Sequence, residues 1–337
     1  MLYKLDTAGR ETVLYSFGGG ADGWDPYAGV IRDSAGNLYG TTFAGGTAGK
    51  GVVYKLDTPG HETVLYSFTG GSDGGNPYAG VIRDSAGNLY GTTGFGGTAG
   101  SGVVYEVDAA GHYTMLYAFT GGADGNIPAG VVRDSAGNLY GTTYEGGTAN
   151  QGVVYKLDTS GHQTVLYNFT GVADGSLPQS GVIADAAGNL YGTTAQGGTT
   201  NAGVVYKLDA AGHYTVLYAF TGGADGGSPY AGVIGDPAGN LYGTTYIGGA
   251  AASGVVYKMD ARGQETVLFS FAATDGKSPF AGVTGDSAGN LYGTTVNGGA
   301  LDRGIVYKLE VTGRETVLHS FTGGTDGGNP GATPTQV

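Results

Sequence analysis

The chain has 337 residues, of which 71 are glycine and 25 are tyrosine; 13% are charged, and the formal net charge is −13. It is too apolar and aromatic for a disordered chain, and its glycines do not recur every third residue as they do in collagen. The negative charge disfavours nucleic acid and anionic lipid as partners, and the absence of cysteine excludes disulfides and thiolate metal sites.

Taken from the N-terminus, the chain first offers two short strand candidates within residues 2–17. They match the last two strands of a longer repeat that follows them six times. Each copy of this repeat contains the heptapeptide Gly-Asn-Leu-Tyr-Gly-Thr-Thr, and successive copies are 50 or 51 residues apart. The copies of the heptapeptide begin at Gly36, Gly87, Gly137, Gly188, Gly239 and Gly289.

One repeat predicts four short strands, which we name A to D in chain order. In the second copy these are strand A (79–83), strand B (88–93), strand C (103–107) and strand D (113–119). All four are rich in β-branched and aromatic residues and are bounded by Gly, Asp, Asn and Ser. Tight turns join A to B and C to D, and no apolar pattern with a helical period persists.

Four antiparallel strands in a repeat of about 50 residues predict one blade of an all-β β-propeller. Strands C and D are apolar on both faces, so each blade must be covered by a neighbour above and below it. A β-solenoid with two coils per repeat is the main alternative, but its parallel coils do not use tight hairpin turns. The complete blades are predicted at 27–68, 78–119, 128–169, 179–220, 230–271 and 280–321.

The two ends of the chain determine how the ring closes. An isolated two-stranded hairpin is marginally stable in water, so the half-blade at 2–17 needs a partner. We favour seven blade positions in a single domain of residues 1–337, with the tail 322–337 supplying a closing inner strand from Gly331 to Val337. Two prolines in the tail weaken that strand, and six complete blades with an unpaired hairpin are the alternative.

Because successive strands alternate in direction, the B–C loops and the D–A crossovers share one face of the ring, which we call the loop face. These segments are rich in glycine and differ most between copies, whereas the strands are nearly constant. Variable loops on a rigid scaffold are common binding surfaces. The candidate ligand-binding residues on the loop face are Trp24, Asp25, Phe43, Phe95, Tyr144, Glu145, Gln196, Tyr246 and Asn297.

An Asp-Gly pair recurs in each D–A crossover. An aspartate in a glycine-rich loop can ligate calcium, but each of these loops offers a single acid, and Asp-Gly is also a common turn pair. We therefore favour a turn role over a calcium site, and we interpret the aspartates that end strands A and C in the same way. The aspartates of the Asp-Gly pairs are Asp22, Asp73, Asp124, Asp174, Asp225, Asp275 and Asp326.

The repeat does not predict a catalytic centre. Four of the five histidines recur at one turn position on successive blades, too far apart to share a metal ion. The one Gly-x-Ser-x-Gly match, at residues 70–74, is not followed by the helix pattern that a nucleophile elbow requires, and no phosphate-binding loop ends in Lys-Ser or Lys-Thr. An active site needs different residues that converge on one point, whereas near-identical repeats place the same residue on every blade. We therefore expect a protein that is not an enzyme and has no cofactor.

The repeat resembles a known family. The segments Gly-Val-Ile-Arg-Asp-Ser-Ala-Gly-Asn-Leu-Tyr-Gly-Thr-Thr and Gly-Val-Val-Tyr-Lys-Leu-Asp are similar to the bacterial "choice-of-anchor" tandem repeat called GloVer, first noted in Gloeobacter and Verrucomicrobia. The resemblance covers nearly the whole chain, and the strand pattern is more distantly similar to NHL-type propeller repeats. It implies an extracellular or cell-surface location. Because neither a signal peptide nor a sorting anchor is recognisable, we expect a processed or excised N-terminus.

These observations predict a non-catalytic binding or scaffolding module that takes a glycan or a protein on its loop face. We expect no insertion into a membrane, since no apolar run approaches the roughly 20 residues of a spanning helix. Two alternatives stay open. One is a structural protein that forms oligomers or fibres by strand or hairpin exchange through the half-blade, and the other is a metal-dependent hydrolase working in the central channel.

Overall fold

The computed structural model describes residues 1–6 and 9–335. The regular structure of this part of the chain consists of six four-stranded antiparallel sheets, preceded by one two-stranded sheet. No helix long and apolar enough to cross a membrane occurs among these residues. The all-β fold with six complete blades that the repeat predicts is confirmed.

The two-stranded sheet consists of β1 (Leu2–Leu5) and β2 (Glu11–Tyr15). Each blade consists of four consecutive strands, A to D, whose order in the sheet is their order in the chain. The strands of the blades are β3 Ile31–Arg32, β4 Leu38–Thr42, β5 Val52–Leu56, β6 Glu62–Ser67; β7 Ile82–Arg83, β8 Leu89–Thr93, β9 Val103–Val107, β10 Tyr113–Ala118; β11 Asn126–Arg133, β12 Leu139–Glu145, β13 Val153–Leu157, β14 Gln163–Asn168; β15 Ile183–Ala184, β16 Leu190–Thr194, β17 Val204–Leu208, β18 Tyr214–Ala219; β19 Ile234–Gly235, β20 Leu241–Thr245, β21 Val255–Met259, β22 Glu265–Ser270; β23 Thr284–Gly285, β24 Leu291–Thr295, β25 Ile305–Leu309 and β26 Glu315–Ser320.

Strand A is shorter than predicted in five of the six blades. The sequence predicts it over 79–83 in the second blade, but only Ile82–Arg83 pairs with strand B. The residues just before it lie against the neighbouring blade instead, where a Cβ on Gly80 would be 3.0 Å from the carbonyl oxygen of Gly29. The third blade is the exception, since β11 spans Asn126–Arg133.

The core of the protein lies between blades. In the second blade Val103, Val104 and Tyr105 of strand C are fully buried. Strand D is half-exposed, but the phenylalanine that follows it, Phe119, is fully buried and packs edge-on against Tyr155 of the next blade at 5.1 Å between ring centroids. The same contact is made by Phe68–Tyr105, Phe169–Tyr206, Phe220–Tyr257 and Phe271–Tyr307. Stacking against neighbours therefore covers strand C, as its apolar pattern predicts.

The two-stranded sheet fills the interval between the last blade and the first. Phe321, which follows β26, packs edge-on against Tyr3 at 5.3 Å between ring centroids. Phe17, which follows β2, packs in the same way against Tyr54 of the first blade at 5.0 Å. These are the Phe–Tyr contacts that join consecutive blades. The half-blade predicted at 2–17 therefore occupies a seventh position in the ring.

The tail closes the inner side of the ring. Thr333 lies between the first and the last blade, with its carbonyl oxygen beside Gly29 and its Oγ1 beside Gly282. The Thr294 hydroxyl donates a hydrogen bond to the carbonyl oxygen of Ala332 at 3.0 Å, the bond that strand B of every other complete blade makes to the next blade. Thr333 continues a circle of glycines around the central channel, formed by Gly29, Gly80, Gly130, Gly181, Gly232 and Gly282.

The tail does not form the strand predicted from Gly331 onward. No residue from 322 to 335 belongs to a strand, and β1 pairs only with β2 within the described part of the chain. Pro334 lies within the predicted segment, and proline lacks the backbone N–H that a ladder needs. Gln336 and Val337 lie outside the described residues. Both ends of the chain thus meet at the seventh position, as we favoured, without adding a strand to the sheet.

Candidate functional site

The B–C loops and the D–A crossovers meet on one face, as the alternation of the strands predicts. Antiparallel bridges join the two segments in five blades, and in the third blade Asn126 pairs with Glu145 at the ends of β11 and β12. The bridged pairs are Trp24–Ala44, Gly75–Phe95, Ser176–Gln196, Gly227–Ile247 and Lys277–Asn297. Each loop is therefore held as a short extension of its blade, which makes the loop face a defined surface.

Trp24 and Asp25 lie in the crossover that enters the first blade. The Trp24 side chain is 57% exposed. Asp25 has a left-handed backbone with φ of 55°, a conformation that the equivalent Asn76 shares at 56°. Aspartate and asparagine tolerate this conformation better than most residues do. Asp25 therefore serves first as a turn residue, whereas Trp24 offers an exposed aromatic surface.

Four aromatic rings form a continuous patch across the first two blades, which we call the first aromatic patch. Its members are Tyr27, Phe43, Tyr78 and Phe95, with centroid distances of 5.4 Å from Tyr27 to Phe43, 4.8 Å from Phe43 to Tyr78 and 6.1 Å from Tyr78 to Phe95. Three of these side chains are 40–48% exposed. Exposed contiguous apolar surface of this kind marks binding sites in soluble proteins.

A second aromatic patch lies across the fifth and sixth blades. Tyr230 packs against Tyr246 at 5.0 Å and against Phe280 at 5.3 Å between ring centroids. Burial, and then Tyr246 and Tyr144, raise the pKa of Tyr230. Phe280 and Ile247, which follows Tyr246 in the chain, are 37% and 41% exposed.

The sequence predicts half of these aromatic residues. Phe43, Phe95, Tyr144 and Tyr246 stand in the variable B–C loops, where variation between copies drew attention to them. The members that lead into strand A were missed because they follow a proline at a nearly constant position. Some blades carry a residue that is not aromatic at this position, and this difference between copies could have identified the missed residues. The missed residues are Tyr27, Tyr78, Tyr230 and Phe280.

The remaining candidates on the loop face are polar. The Asn126 side-chain amide donates a hydrogen bond to Glu145 at 3.1 Å, and the Asn329 side-chain amide lies 3.5 Å from the side-chain oxygen of Asn297. Gln196 is exposed, and its backbone pairs with the crossover. Within the described part of the chain, the side chains of Glu145, Gln196 and Asn297 form no hydrogen bond with the aromatic patches. They are available as separate hydrogen-bonding groups on the same face.

The Asp-Gly aspartates act as acceptors within their own turns. Asp73 accepts hydrogen bonds from the Thr69 backbone N–H at 2.8 Å, from the Tyr66 hydroxyl at 3.0 Å and from the Thr69 hydroxyl. Although burial acts to raise it, the pKa of Asp73 lies below its ordinary value because of these donors. Among the residues the structure describes, no group of three or more His, Asp or Glu could hold a metal ion. The turn role that we favoured for these aspartates is observed at Asp73.

The aspartates that end strands A and C also cap turns. Asp33 accepts hydrogen bonds from the backbone and the side-chain amide of Asn37 and from the Tyr39 hydroxyl, and these donors lower its pKa to about 2 even though burial opposes them. The turn histidines pair with the aspartate of the same turn, as His61 does with Asp57 at 3.2 Å. These contacts are local to each blade.

The first residue of strand D differs between blades, and in some of them it is a partly buried carboxyl group. In several blades this residue is a glutamate with one oxygen buried and without a hydrogen-bond partner among the described residues. At the equivalent place in another blade, the side-chain amide of Gln163 donates a hydrogen bond to the Asp124 carbonyl oxygen at 3.2 Å. Tyr113 and Tyr214 donate equivalent bonds to Asp73 and Asp174. The glutamates are Glu11, Glu62, Glu265 and Glu315.

We expect this setting to make the protein less stable as the pH rises. Burial, and then the charge of Asp225, raise the pKa of Glu265 to about 7 from an ordinary value of 4.5. The stabilising protonated form is complete below pH 4.5 and is lost as the pH rises through 7. Because the carboxyl is half-buried and partly screened by solvent, we expect the loss to be about 1–2 kcal/mol.

The Glu265→Gln variant measures this contribution. A side-chain amide at this position can donate a hydrogen bond at every pH, as Gln163 does in the third blade. Urea midpoints of this variant between pH 5 and pH 8 should fall less than those of the wild type. Gln163→Glu is the reciprocal control and should add a pH-dependent loss. Parallel midpoint curves for all three proteins would contradict the assignment.

A ring of four-stranded antiparallel blades around a glycine-lined channel defines the protein as a β-propeller built from tandem repeats. The model of the Gloeobacter/Verrucomicrobia repeat family matches residues 1–186 and 172–337. The chain belongs to this family, as the resemblance of its repeat implies. A search of proteins with curated function gave no match.

Solved structures share the fold at low sequence identity. A gluconolactonase from Xanthomonas campestris is 16% identical, with a TM-score of 0.51 over 83% of this chain and 85% of that one. PorZ, a bacterial surface component of the type-IX secretion system of Porphyromonas gingivalis, is 15% identical, with a TM-score of 0.54 over 88% of this chain and 42% of that one. A luciferin-regenerating enzyme is 15% identical, with a TM-score of 0.50 over 93% and 96%. These likenesses show the propeller fold alone.

Proposed function

We propose that this protein is a non-catalytic binding module that takes an uncharged glycan on its loop face. The observation that carries the proposal is the pair of aromatic patches, in which half-exposed rings from neighbouring blades lie 4.8–6.1 Å apart. Rigid aromatic side chains offer a large contact area and lose little conformational entropy when they bind. The family resemblance supports an extracellular or cell-surface location, where glycans are present.

The surroundings of the patches fit a neutral, hydroxyl-rich ligand better than a charged one. The net charge of −13 repels anionic ligands at long range. Gln196 adds an exposed amide on the same face as the rings, and Glu145 and Asn297 add further polar side chains there. A small number of polar groups around an apolar surface is the usual composition of a ligand site.

Binding to a glycan array tests this proposal, followed by calorimetry with the glycan that binds best. We expect Tyr78→Ala or Phe280→Ala to weaken binding about tenfold or more, because Tyr78 is the centre of the first patch and Phe280 is an exposed ring of the second. The matched control is Val311→Ala, which removes a 71% exposed side chain from a C–D turn on the opposite face. A blank array, or equal affinity of all the variants, would refute glycan binding, and a protein ligand captured at the patches would replace the glycan.

The hydrolase alternative requires polar residues that converge on one point. Aspartates of the repeat turns, such as Asp33 and Asp73, are engaged in their own turns, and the inner circle of the channel is lined by glycine. These features support a binding role. Calorimetric titration with calcium, together with an assay of lactone hydrolysis in its presence, tests the alternative. Stoichiometric calcium binding accompanied by calcium-dependent turnover would overturn the non-catalytic proposal.

A further inference from the structure

The residue that follows the crossover proline occupies one position at the inner end of the crossover. It stands two residues before the member of the glycine circle in the same blade, or before Thr333 in the tail. Two residues of chain span at most about 7 Å, so this position lies where the central channel opens onto the loop face. We call these residues the collar. Its members are Tyr27, Tyr78, Gln179, Tyr230, Phe280 and Gly331.

Neighbouring collar residues contact each other. Between ring centroids, Tyr27 lies 6.3 Å from Tyr78, and Tyr230 lies 5.3 Å from Phe280. A Cβ on Gly331 would lie 3.9 Å from the Phe280 ring. In the order of the blades these five residues are consecutive, and each aromatic patch contributes two of them. The two patches are therefore two sides of one opening, with the small Gly331 between them in the collar.

The third blade, which the structure describes throughout, has no collar residue. Its crossover is one residue shorter, so that Pro128 is followed directly by Ala129, the equivalent of Ala79 in the second blade. The equivalence is seen in the bond from strand B of the preceding blade, whose threonine hydroxyl donates to the carbonyl oxygen of Ala79 at 2.9 Å and to that of Ala129 at 3.0 Å. Strand A of this blade, β11, runs without a break from Asn126 to Arg133 and leaves a gap in the collar.

The fourth blade places polar groups beside this gap. Its collar residue is the exposed Gln179, where three other blades carry tyrosine. The next residue is Ser180, where the other five complete blades carry alanine. A Cβ on Gly232 of the glycine circle would lie 3.1 Å from the Ser180 hydroxyl oxygen, so this hydroxyl borders the channel. An amide and a hydroxyl can each donate and accept hydrogen bonds, as the hydroxyl groups of a sugar require.

We propose that the two aromatic patches together hold one linear, uncharged oligosaccharide, which lies across the mouth of the channel and forms hydrogen bonds with Gln179 and Ser180 at the collar gap. This inference rests on the proposed glycan binding and deepens it, because it assigns one site per chain instead of two. The sugar units of one chain are linked, so contact with the first patch brings the remaining units close to the second. The joint affinity then exceeds that of either patch alone, and the ligand class is an oligosaccharide long enough to reach both.

An array of neutral linear oligosaccharides of graded length tests the inference, followed by calorimetry of the full chain with the array oligosaccharide that gives the strongest signal. We expect one molecule per chain and an affinity that rises with length. Tyr78→Ala and Phe280→Ala should each weaken binding about tenfold or more, with the stoichiometry still one. Two molecules per chain, of which each variant loses one and binds the other at full affinity, would overturn the single site and leave glycan binding intact. A blank array would instead overturn glycan binding itself, and this inference with it.

Gln179→Ala tests the polar side of the mouth. Loss of the amide should weaken binding of the same oligosaccharide about three- to tenfold, because a hydrogen bond to the sugar is removed. The matched control is Val172→Ala, which removes a 70% exposed side chain from the same crossover and should bind as the wild type does. Equal affinity of Gln179→Ala and this control would show that the oligosaccharide does not reach the collar gap, and the proposed placement would be wrong.

Discussion

Replacing Phe119 by alanine should lower the free energy of unfolding by about 3–5 kcal/mol. The side chain is fully buried, and its ring packs edge-on against Tyr155 of the next blade at 5.1 Å. The substitution removes apolar burial, leaves a cavity between two blades and deletes an aromatic contact. The midpoint and slope of unfolding in guanidinium chloride measure the loss.

Met115→Ala is the matched control for this experiment. Met115 belongs to the same strand D, but its side chain is 40% exposed. We expect this substitution to change the free energy of unfolding by less than about 0.5 kcal/mol, as surface substitutions usually do. If the two variants lose similar stability, then the phenylalanine that follows strand D is not wedged between blades and the packing described here is incorrect.

Gly192→Ala should destabilise the protein by about 1–3 kcal/mol through overpacking. A Cβ on Gly192 of strand B would lie 2.5 Å from the Tyr206 hydroxyl oxygen and 2.7 Å from the ring carbon that bears it. Tyr206 is fully buried, so its ring has no free space to move into. A lowered midpoint in chemical denaturation is the expected result.

Gly235→Ala is the control, because it introduces the same methyl group where there is room. The nearest atom to a Cβ on Gly235 would be 3.7 Å away, and the residue is exposed at the end of strand A. We expect a neutral effect or a gain of up to about 1 kcal/mol from the reduced entropy of the unfolded chain. A Gly192 variant as stable as this control would refute the steric fit between strand B and the buried tyrosine of strand C.

The period of the sequence predicts strands B, C and D within one residue in the second blade. It does so because the alternation of strand and turn residues is local and is repeated in every copy. Strand A departs from the prediction since its lead-in, at Gly80, contacts the preceding blade rather than its own strand B. A contact between blades leaves no local pattern in the sequence.

The functional site is predicted less completely than the fold. Variation between copies identifies Phe43 and Phe95, but it overlooks Tyr27 and Tyr78, which complete the first patch from a nearly constant position. The way in which the ring closes is not visible in the sequence either. It follows from where the hairpin and the tail meet in the ring, and this depends on contacts between residues more than 300 positions apart, such as that from Thr333 to Gly29.

Closure of the ring at the seventh position is tested most directly by an engineered disulfide. The chain contains no cysteine, so Gly282→Cys with Thr333→Cys introduces a single pair. A Cβ on Gly282 would lie 3.6 Å from the Thr333 Oγ1, a separation within reach of a disulfide. The reference pair is Ala231→Cys with Gly282→Cys, which joins the fifth and sixth blades and does not involve the tail. The Cβ atoms of this pair would be 3.4 Å apart.

Mass spectrometry after mild oxidation should find an intramolecular disulfide in both double variants. Formation of the bond between positions 282 and 333 at a rate similar to the reference pair is the result we predict. A reference pair that oxidises while the cysteines at 282 and 333 stay reduced would show that the tail does not close the ring.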